Sequence, residues 1–375
     1  MAVFVRKFCF ALMGLLAVAA PLHADGAEFN WKYATVVPPN FPVFGTGANR
    51  LAEAIETMSQ GRISVKVYGA GELVGAFEVF DAVSRGTVEM GQGAPYFWKG
   101  KVPAAQLLAT VPFGMTAEES NAWFLYDEGM ALWREAYAPF GIVPVLGGNT
   151  GAQMGGWFKK EINTLADLQG LKIRMPGLGG EVYSRAGATT VNLPGAEIFP
   201  ALQAGTIDAT DWIAPFNDLA FGLQKAARYY YWPGWHEPGG TIEVLFNQKA
   251  LEALPDDLRE IVLRAGEANA HEVLADFTAN NHRALQTLLA DGEVELKQFP
   301  KEVIERFRQL SAEVVQELVK SDRLAARIHQ SQQRFFNRVS AWQRVSTQPI
   351  MDARVVATAK QKEDTHSPAQ DFDNE

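Results

Sequence analysis

Cysteine is almost missing from this chain: Cys9 is the one thiol in 375 residues. It sits near the N-terminus in "FCFALMGLLAVAA", Phe8 to Ala20, behind the basic pair Arg6 and Lys7 and ahead of the small residue Ala24. That order of basic start, short apolar run and small-residue site reads as a secretory signal peptide over residues 1–24, cut after Ala24; the other reading is an uncleaved anchor. Cleavage removes Cys9, so the mature chain has no disulfide, no thiolate metal site and no thiol nucleophile. Long apolar runs are also lacking. The Phe8–Ala20 run is shorter than the roughly 18 residues of a membrane-spanning helix, and no later run approaches that length. Positive charge is in deficit: 34 Lys and Arg stand against 43 Asp and Glu, a net −9. This becomes −11 once Arg6 and Lys7 leave with the signal peptide. An acidic exported chain is a poor nucleic-acid binder, and the setting expected is a bacterial periplasm.

Catalytic signatures are scarce as well. His271-Glu272 begins a zinc-helix motif that no later histidine completes. There is no Gly-x-Ser-x-Gly, no Walker loop and no dinucleotide fingerprint; "GLGGEVYSRAG" and "GGNTGAQMGG" have glycine but not the spacing. The six histidines are scattered.

What is present is an α/β pattern that occurs twice. "FNWKYATVVPP" reads as a strand; Leu51, Ile55 and Met58 follow at helical spacing; Ile63, Val65 and Val67 alternate as a strand; Phe77, Phe80 and Val83 mark a helix that Gly86 closes; "TVEMG" is a short buried strand. The second round has a helix capped by Asn163-Thr164, then "LKIRM", "GEVYSRAG", "TTVNLP", "AEIFPALQAG" and "TIDATDW" as strand, helix, strand, helix, strand. Each round predicts a largely parallel sheet. The junctions "AVSRGTVEMG" and "ALQAGTIDAT" resemble one another, either because the units are related or because helix–Gly–strand junctions look alike. From Gln248 to about Arg344 the pattern is helical apart from the strand "VELKQF", and residues 355–375 form a polar tail without period.

The chemistry-bearing residues fall at strand ends, where open α/β sheets bind ligands. Tyr96 follows "TVEMGQGAP", Gln153 follows "VPVLGGNTGA", Arg174 ends "LKIR", Asp211-Trp212 end "TIDATDW", and His236-Glu237 follow "YYYWPGW". Facing lobes would bring them to one cleft, with Arg174 offering its planar fork to a carboxylate. Each has a second reading: Arg174 as a structural ion-pair partner, Tyr96, Trp212 and Trp235 as core, His236 as a hydrogen-bonded structural histidine, Glu237 as a surface acid.

"GLKIRMPG", "LPGAEIFPALQAGTIDATDW", "NDLAFGLQKAARYYYWPGWHEPG" and "FNQKALEALP" resemble the solute-binding proteins of TRAP transporters, the tripartite ATP-independent periplasmic systems. "GAQMGGW" and "DATDW" resemble its branch of receptors for 2-oxo acids and other small monocarboxylates. The resemblance implies a non-enzymatic, α/β two-lobe periplasmic binding protein (type II-like) with a hinge and long C-terminal helices. Lobe one would hold residues 25–147 plus about 241–275, lobe two 148–240 plus about 276–320, and a 321–354 helix would pair protomers into a homodimer. It implies Arg174 on the substrate carboxylate, Gln153 reaching both ligand and a cation, Asp211 as an acidic cation ligand and Trp212 giving its carbonyl. Glu237 stands where a glutamine is expected, and Tyr96 faces the ligand from lobe one. Phe41, Trp212 and Tyr96 would make an apolar wall, and the partners would be the small and large membrane subunits of a permease.

A cation has its own physical reason. Asp211 and Glu237 beside an anionic substrate repel, and a like-charge pair at about 4 Å costs roughly 4 kcal/mol at an effective dielectric of 20. One arginine does not offset both. A metal held by Gln153, Asp211, Trp212 and Glu237 would, and hard oxygen ligands indicate sodium or calcium, the second acid favouring calcium. The alternatives are a receptor of the same fold that signals to a membrane sensor, and an exported hydrolase using Asp211 and Glu237 as acid and base.

Overall fold

The computed structural model describes residues 26–354, so the signal peptide and the polar tail lie outside the described residues. Eleven strands are formed: β1 (Phe29–Ala34), β2 (Ile63–Tyr68), β3 (Met90–Gly93), β4 (Ile142–Asn149), β5 (Gly156–Phe158), β6 (Lys172–Arg174), β7 (Thr189–Val191), β8 (Ala209–Thr210), β9 (Tyr229–Trp232), β10 (Thr241–Asn247) and β11 (Glu295–Gln298). They build two sheets, ordered β2-β1-β3-β10-β4 and β11-β9-β5-β8-β6-β7. In the first, β1 pairs in parallel with β2 and with β3; in the second, β6 pairs in parallel with β7 and with β8. The first three strands of each round thus take the same order, and the two look-alike junctions each lead into the third strand.

Neither sheet is as parallel as the pattern predicts. β10 runs antiparallel to β3 and β4, and β5 antiparallel to β8 and β9. The reason is connectivity. The chain leaves the first sheet after β4, enters the second at β5, leaves that sheet after β9 and returns as β10. A strand entering from the other lobe meets its neighbours head to tail, and alternation of side chains does not encode direction. The strand expected over "TIDATDW" shrinks to β8, and the helix expected after Asn163-Thr164 is a single turn, Leu165–Leu168, whose Asp167 side chain caps the turn at Thr164.

Among the described residues four connections join the lobes: the β4–β5 and β9–β10 segments, the junction at Asp322 between the helices Lys301–Ser321 and Arg323–Gln343, and the helix Asp256–Leu289. That helix reaches both lobes, Asn269 Nδ2 donating to Gly147 O at 2.9 Å and Asn281 Oδ1 accepting from Phe216 N at 3.1 Å. The helix expected over 321–354 is broken at 344–346; its main part, Arg323–Gln343, is capped by Asp322 and lies on the first lobe of its own chain through Trp123 Nε1 to Ser331 Oγ and Gln332 Nε2 to Leu107 O.

β10 is buried along its whole length and carries Glu243 into the first lobe, where Trp98 Nε1 and Tyr137 OH both donate to it. Burial outweighs those hydrogen bonds and raises its pKa to about 8. Its proton is therefore bound in the folded chain over a range where the unfolded chain has released it. That stabilisation is complete below the ordinary carboxylate range and is lost as pH rises through about 8. The melting temperature is expected to fall between pH 5 and pH 9, and Glu243→Gln to flatten that fall; equal slopes in both proteins would contradict the assignment.

Candidate functional site

The two interlobe segments run side by side, and they carry the site. Thr150 N donates to Gly240 O at 2.9 Å, Gln153 N to Glu237 O at 3.2 Å, and Met154 N to Ile213 O at 2.9 Å. These bonds fix Gln153, His236 and Glu237 between the sheets. Close approach demands glycine here: a Cβ on Gly234 would lie 2.1 Å from Gln153 O, and one on Gly240 would lie 2.6 Å from Glu237 Oε2 and 2.7 Å from Gln153 Nε2. Gly240→Ala should therefore abolish ligand binding while circular dichroism shows a folded protein; wild-type affinity in a folded Gly240→Ala would show that the packing at Glu237 is not needed.

The second lobe brings the arginine and the first acid. β6 and β8 are parallel with Arg174 opposite Thr210, so Asp211 emerges beside Arg174 as both strands end. Pro176 then ends β6 and precedes the helix Gly177–Arg185, whose first residue, at φ 60°, lets the chain turn against Tyr96 of the first lobe. Arg174 Nη1 donates to Asp211 O at 2.8 Å and Nε to Leu193 O at 3.2 Å. Nη2 has no partner and is buried. The fork that the sequence reading expected is thus partly spent on its own lobe, and what remains is an aimed Nη2 beneath the Trp212 ring, 5.3 Å from the guanidinium carbon.

The charged and polar groups are packed without water-exposed surface: Arg174, Asp211 and His236 are 1% exposed, Glu237 3% and Gln153 5%. Glu237 is no surface acid. Its Oε2 accepts from Gln153 Nε2 at 2.7 Å, and burial, with Asp211 nearby, raises its pKa. Burial by itself would lower the His236 pKa, but the Asp211 and Glu237 carboxylates outweigh it and the net shift is upward. His236 Nε2 lies 3.1 Å from Asp211 Oδ1, and Nδ1 is buried without a partner. Asp211, His236 and Glu237 each offer a ligand atom within 4.8 Å of the others. A lone histidine has no spacing to announce a role, so the sequence places His236 at the cleft without assigning it to the ligand or the cation.

The donor set fits a hard cation. Gln153 Oε1 and both carboxylate oxygens of Asp211 are buried without any hydrogen-bond partner. Because Gln153 Nε2 is committed to Glu237 and to Thr150 Oγ1, its amide oxygen is the free atom. Buried anionic oxygens left open beside a second acid are costly, and a cation is what offsets them.

Tyr96, Gln153, Trp212 and Glu237 line one cavity of ≈ 20 Å³, together with Phe44, Thr150 and Gly240. Phe44, Thr150 and Gly240 carried no chemical signal in the sequence. Phe41 does not line it; its ring stacks on Phe221 at 4.2 Å and meets Trp212 edge-on at 6.3 Å, one layer behind the wall.

Residues 33–322 match the family of bacterial extracellular solute-binding proteins, family 7. The chain belongs to that family. It is 41% identical over 317 residues to a monocarboxylate 2-oxoacid-binding periplasmic protein of Nostoc, covering 84% of this chain and 86% of that one. A TRAP periplasmic solute-binding protein of Colwellia psychrerythraea, solved with calcium and pyruvate, superposes with a TM-score of 0.84 at 40% identity, covering 87% of this chain and 99% of its own. One from Pseudoalteromonas atlantica, solved with sodium and pyruvate, has the same TM-score and identity over 86% and 98%. The two-lobe fold of this solute-binding protein is that of these neighbours. No helix among its described residues is long and apolar enough to cross a membrane.

Proposed function

We propose that this solute-binding protein captures a small 2-oxo or 2-hydroxy monocarboxylate together with a cation and hands it to a TRAP-type membrane permease. The observation that carries the reading is the pairing, in one buried site, of an open cationic donor, Arg174 Nη2, with open oxygens on the Asp211 carboxylate and the Gln153 amide. A carboxylate answers the first and a cation the second; a 2-oxo acid has oxygens to meet both. The cation would be held by Gln153, Asp211 and Glu237, with the Trp212 carbonyl as a further oxygen and His236 beside them. When bound it neutralises the acids, and sodium and calcium both suit the oxygen set.

The closed cavity of ≈ 20 Å³ is about the size of one water, so capture of a carboxylate requires the lobes to part. Tyr96 comes from the first lobe and Arg174 from the second, so closing brings the two together. Burial raises the Tyr96 pKa far above the usual phenol range, which keeps its hydroxyl a donor. Export through the N-terminal signal peptide, with cleavage after Ala24, accords with a family of extracellular receptors. The hydrolase alternative draws no support from that family.

The test is a thermal-shift panel of mono- and dicarboxylates on the purified mature protein with calcium. A ligand at 100 times its Kd adds about 2.7 kcal/mol of stability, which raises Tm by several degrees in a chain this long. Pyruvate- or lactate-like acids are expected to do so and dicarboxylates not. Equal shifts with dicarboxylates, or none with any acid, would refute the assigned class.

A further inference from the structure

A second cavity lies away from the charged site, between the last helix and the segment 107–115 of the first lobe. It measures ≈ 90 Å³ and opens past Phe113 and Gln333 into a surface groove of ≈ 290 Å³. Its walls are largely apolar, Leu108, Val111, Met115, Trp123, Phe124 and Phe336 among them, and no charged side chain lines it. One wall is fixed in place. Phe113 sits at φ 58°, in the left-handed region that a bulky residue rarely adopts, and is held there by its N–H on Trp235 O at 2.8 Å and by a ring stack on Trp235 at 5.6 Å. The Arg308 guanidinium covers the Phe113 ring at 4.1 Å.

Two polar atoms on residues that line this chamber lack a hydrogen-bond partner. Gln332 is buried, and its Nε2 donates to Leu107 O at 2.7 Å. That bond settles which end of the amide is which, so Oε1 is the free atom, and it has no partner. Thr110 Oγ1 is likewise buried without a partner. An apolar cavity needs no polar lining, and a buried acceptor without a donor is unusual enough to require a reason.

We propose that this cavity is a second ligand site, for a small neutral molecule with an apolar body and one hydroxyl or N–H donor, the donor meeting Gln332 Oε1 and Thr110 Oγ1. The absence of charge from the lining excludes the carboxylates of the first site, and neutral apolar ligands bind in enclosed cavities of comparable size. The site does not depend on the carboxylate reading, because it shares only Thr241 with the first cavity.

The test uses the mature protein with calcium and saturating pyruvate, so that the first cleft is filled. Two probes of equal size are compared by fluorine NMR: 4-fluorophenol, which has a donor, and 1,4-difluorobenzene, which has none. Saturable binding of 4-fluorophenol, at least tenfold tighter than that of difluorobenzene, is expected. Gln332→Leu and Thr110→Val should each reduce that preference, and together remove it, while leaving pyruvate affinity unchanged. Thr110→Val is nearly isosteric and keeps the test open if Gln332→Leu fails to fold. No saturable binding of 4-fluorophenol, or a preference unaltered in either folded variant, overturns the proposal.

Discussion

Arg174→Ala is expected to weaken pyruvate binding by between about 30-fold and several thousand-fold, the consequence of removing one partner of a buried charge pair at about 2–5 kcal/mol. Arg174 is 1% exposed, and its Nε and Nη1 are already held by Leu193 O and Asp211 O. The side chain is therefore positioned before any ligand arrives, and little ordering entropy is spent on binding. Arg174→Lys keeps a charge but loses the planar fork and both fixing bonds, so it should recover less than a tenth of the lost affinity. The ligand-free Tm of Arg174→Ala should also drop, because Asp211 Oδ2 at 3.8 Å loses its compensating cation. Isothermal titration of pyruvate measures the first effect and calorimetry the second. Affinity within fivefold of wild type in Arg174→Ala would remove Arg174 from the site.

Asp211→Asn should separate stability from binding. The Asp211 carboxylate lies 3.1 Å from His236 Nε2 and 3.8 Å from Arg174 Nη1, and the amide gives up the attraction to both. It also relieves the repulsion with the buried Glu237. The two changes oppose each other, so the ligand-free Tm is expected to move far less than in Arg174→Ala, even though a buried residue has been changed. Pyruvate affinity is expected to fall by at least 100-fold, and what remains should no longer respond to calcium. A large loss of binding beside a small change in stability is the signature of a residue kept for a ligand. A lowered Tm with calcium dependence intact would make Asp211 a structural acid.

How much of this was legible beforehand depends on the kind of signal each residue gives. Arg174 and Asp211 end strands, and strand ends can be read from alternation followed by Pro176 or by an acid, so both stood out. Gln153 and Glu237 stood out through their motifs, and the buried geometry then shows Glu237 bonded to Gln153. His236 stood out by position but not by role, because its neighbour Asp211 is close only after the β9–β10 segment folds back beside β8. Gly240 was silent for a similar reason: its need for no side chain comes from Glu237, Gln153 and Thr150 crowding it in space. The directions of β5 and β10 were illegible because the residues of a strand specify its faces but not which lobe the chain has come from. Phe41 backs the cavity lining through Trp212, and an apolar residue at a lobe edge reads the same whether it forms a wall or backs one.

The account rests on a cation and a carboxylate being bound as a unit. The direct measurement is pyruvate titration of protein stripped with EDTA into sodium-free choline buffer, repeated after adding calcium and, separately, sodium. The account predicts no measurable binding in the stripped protein and recovery with at least one of the two ions. Undiminished pyruvate affinity in the stripped, sodium-free protein would contradict it, and the open oxygens of Asp211 and Gln153 would then need another explanation.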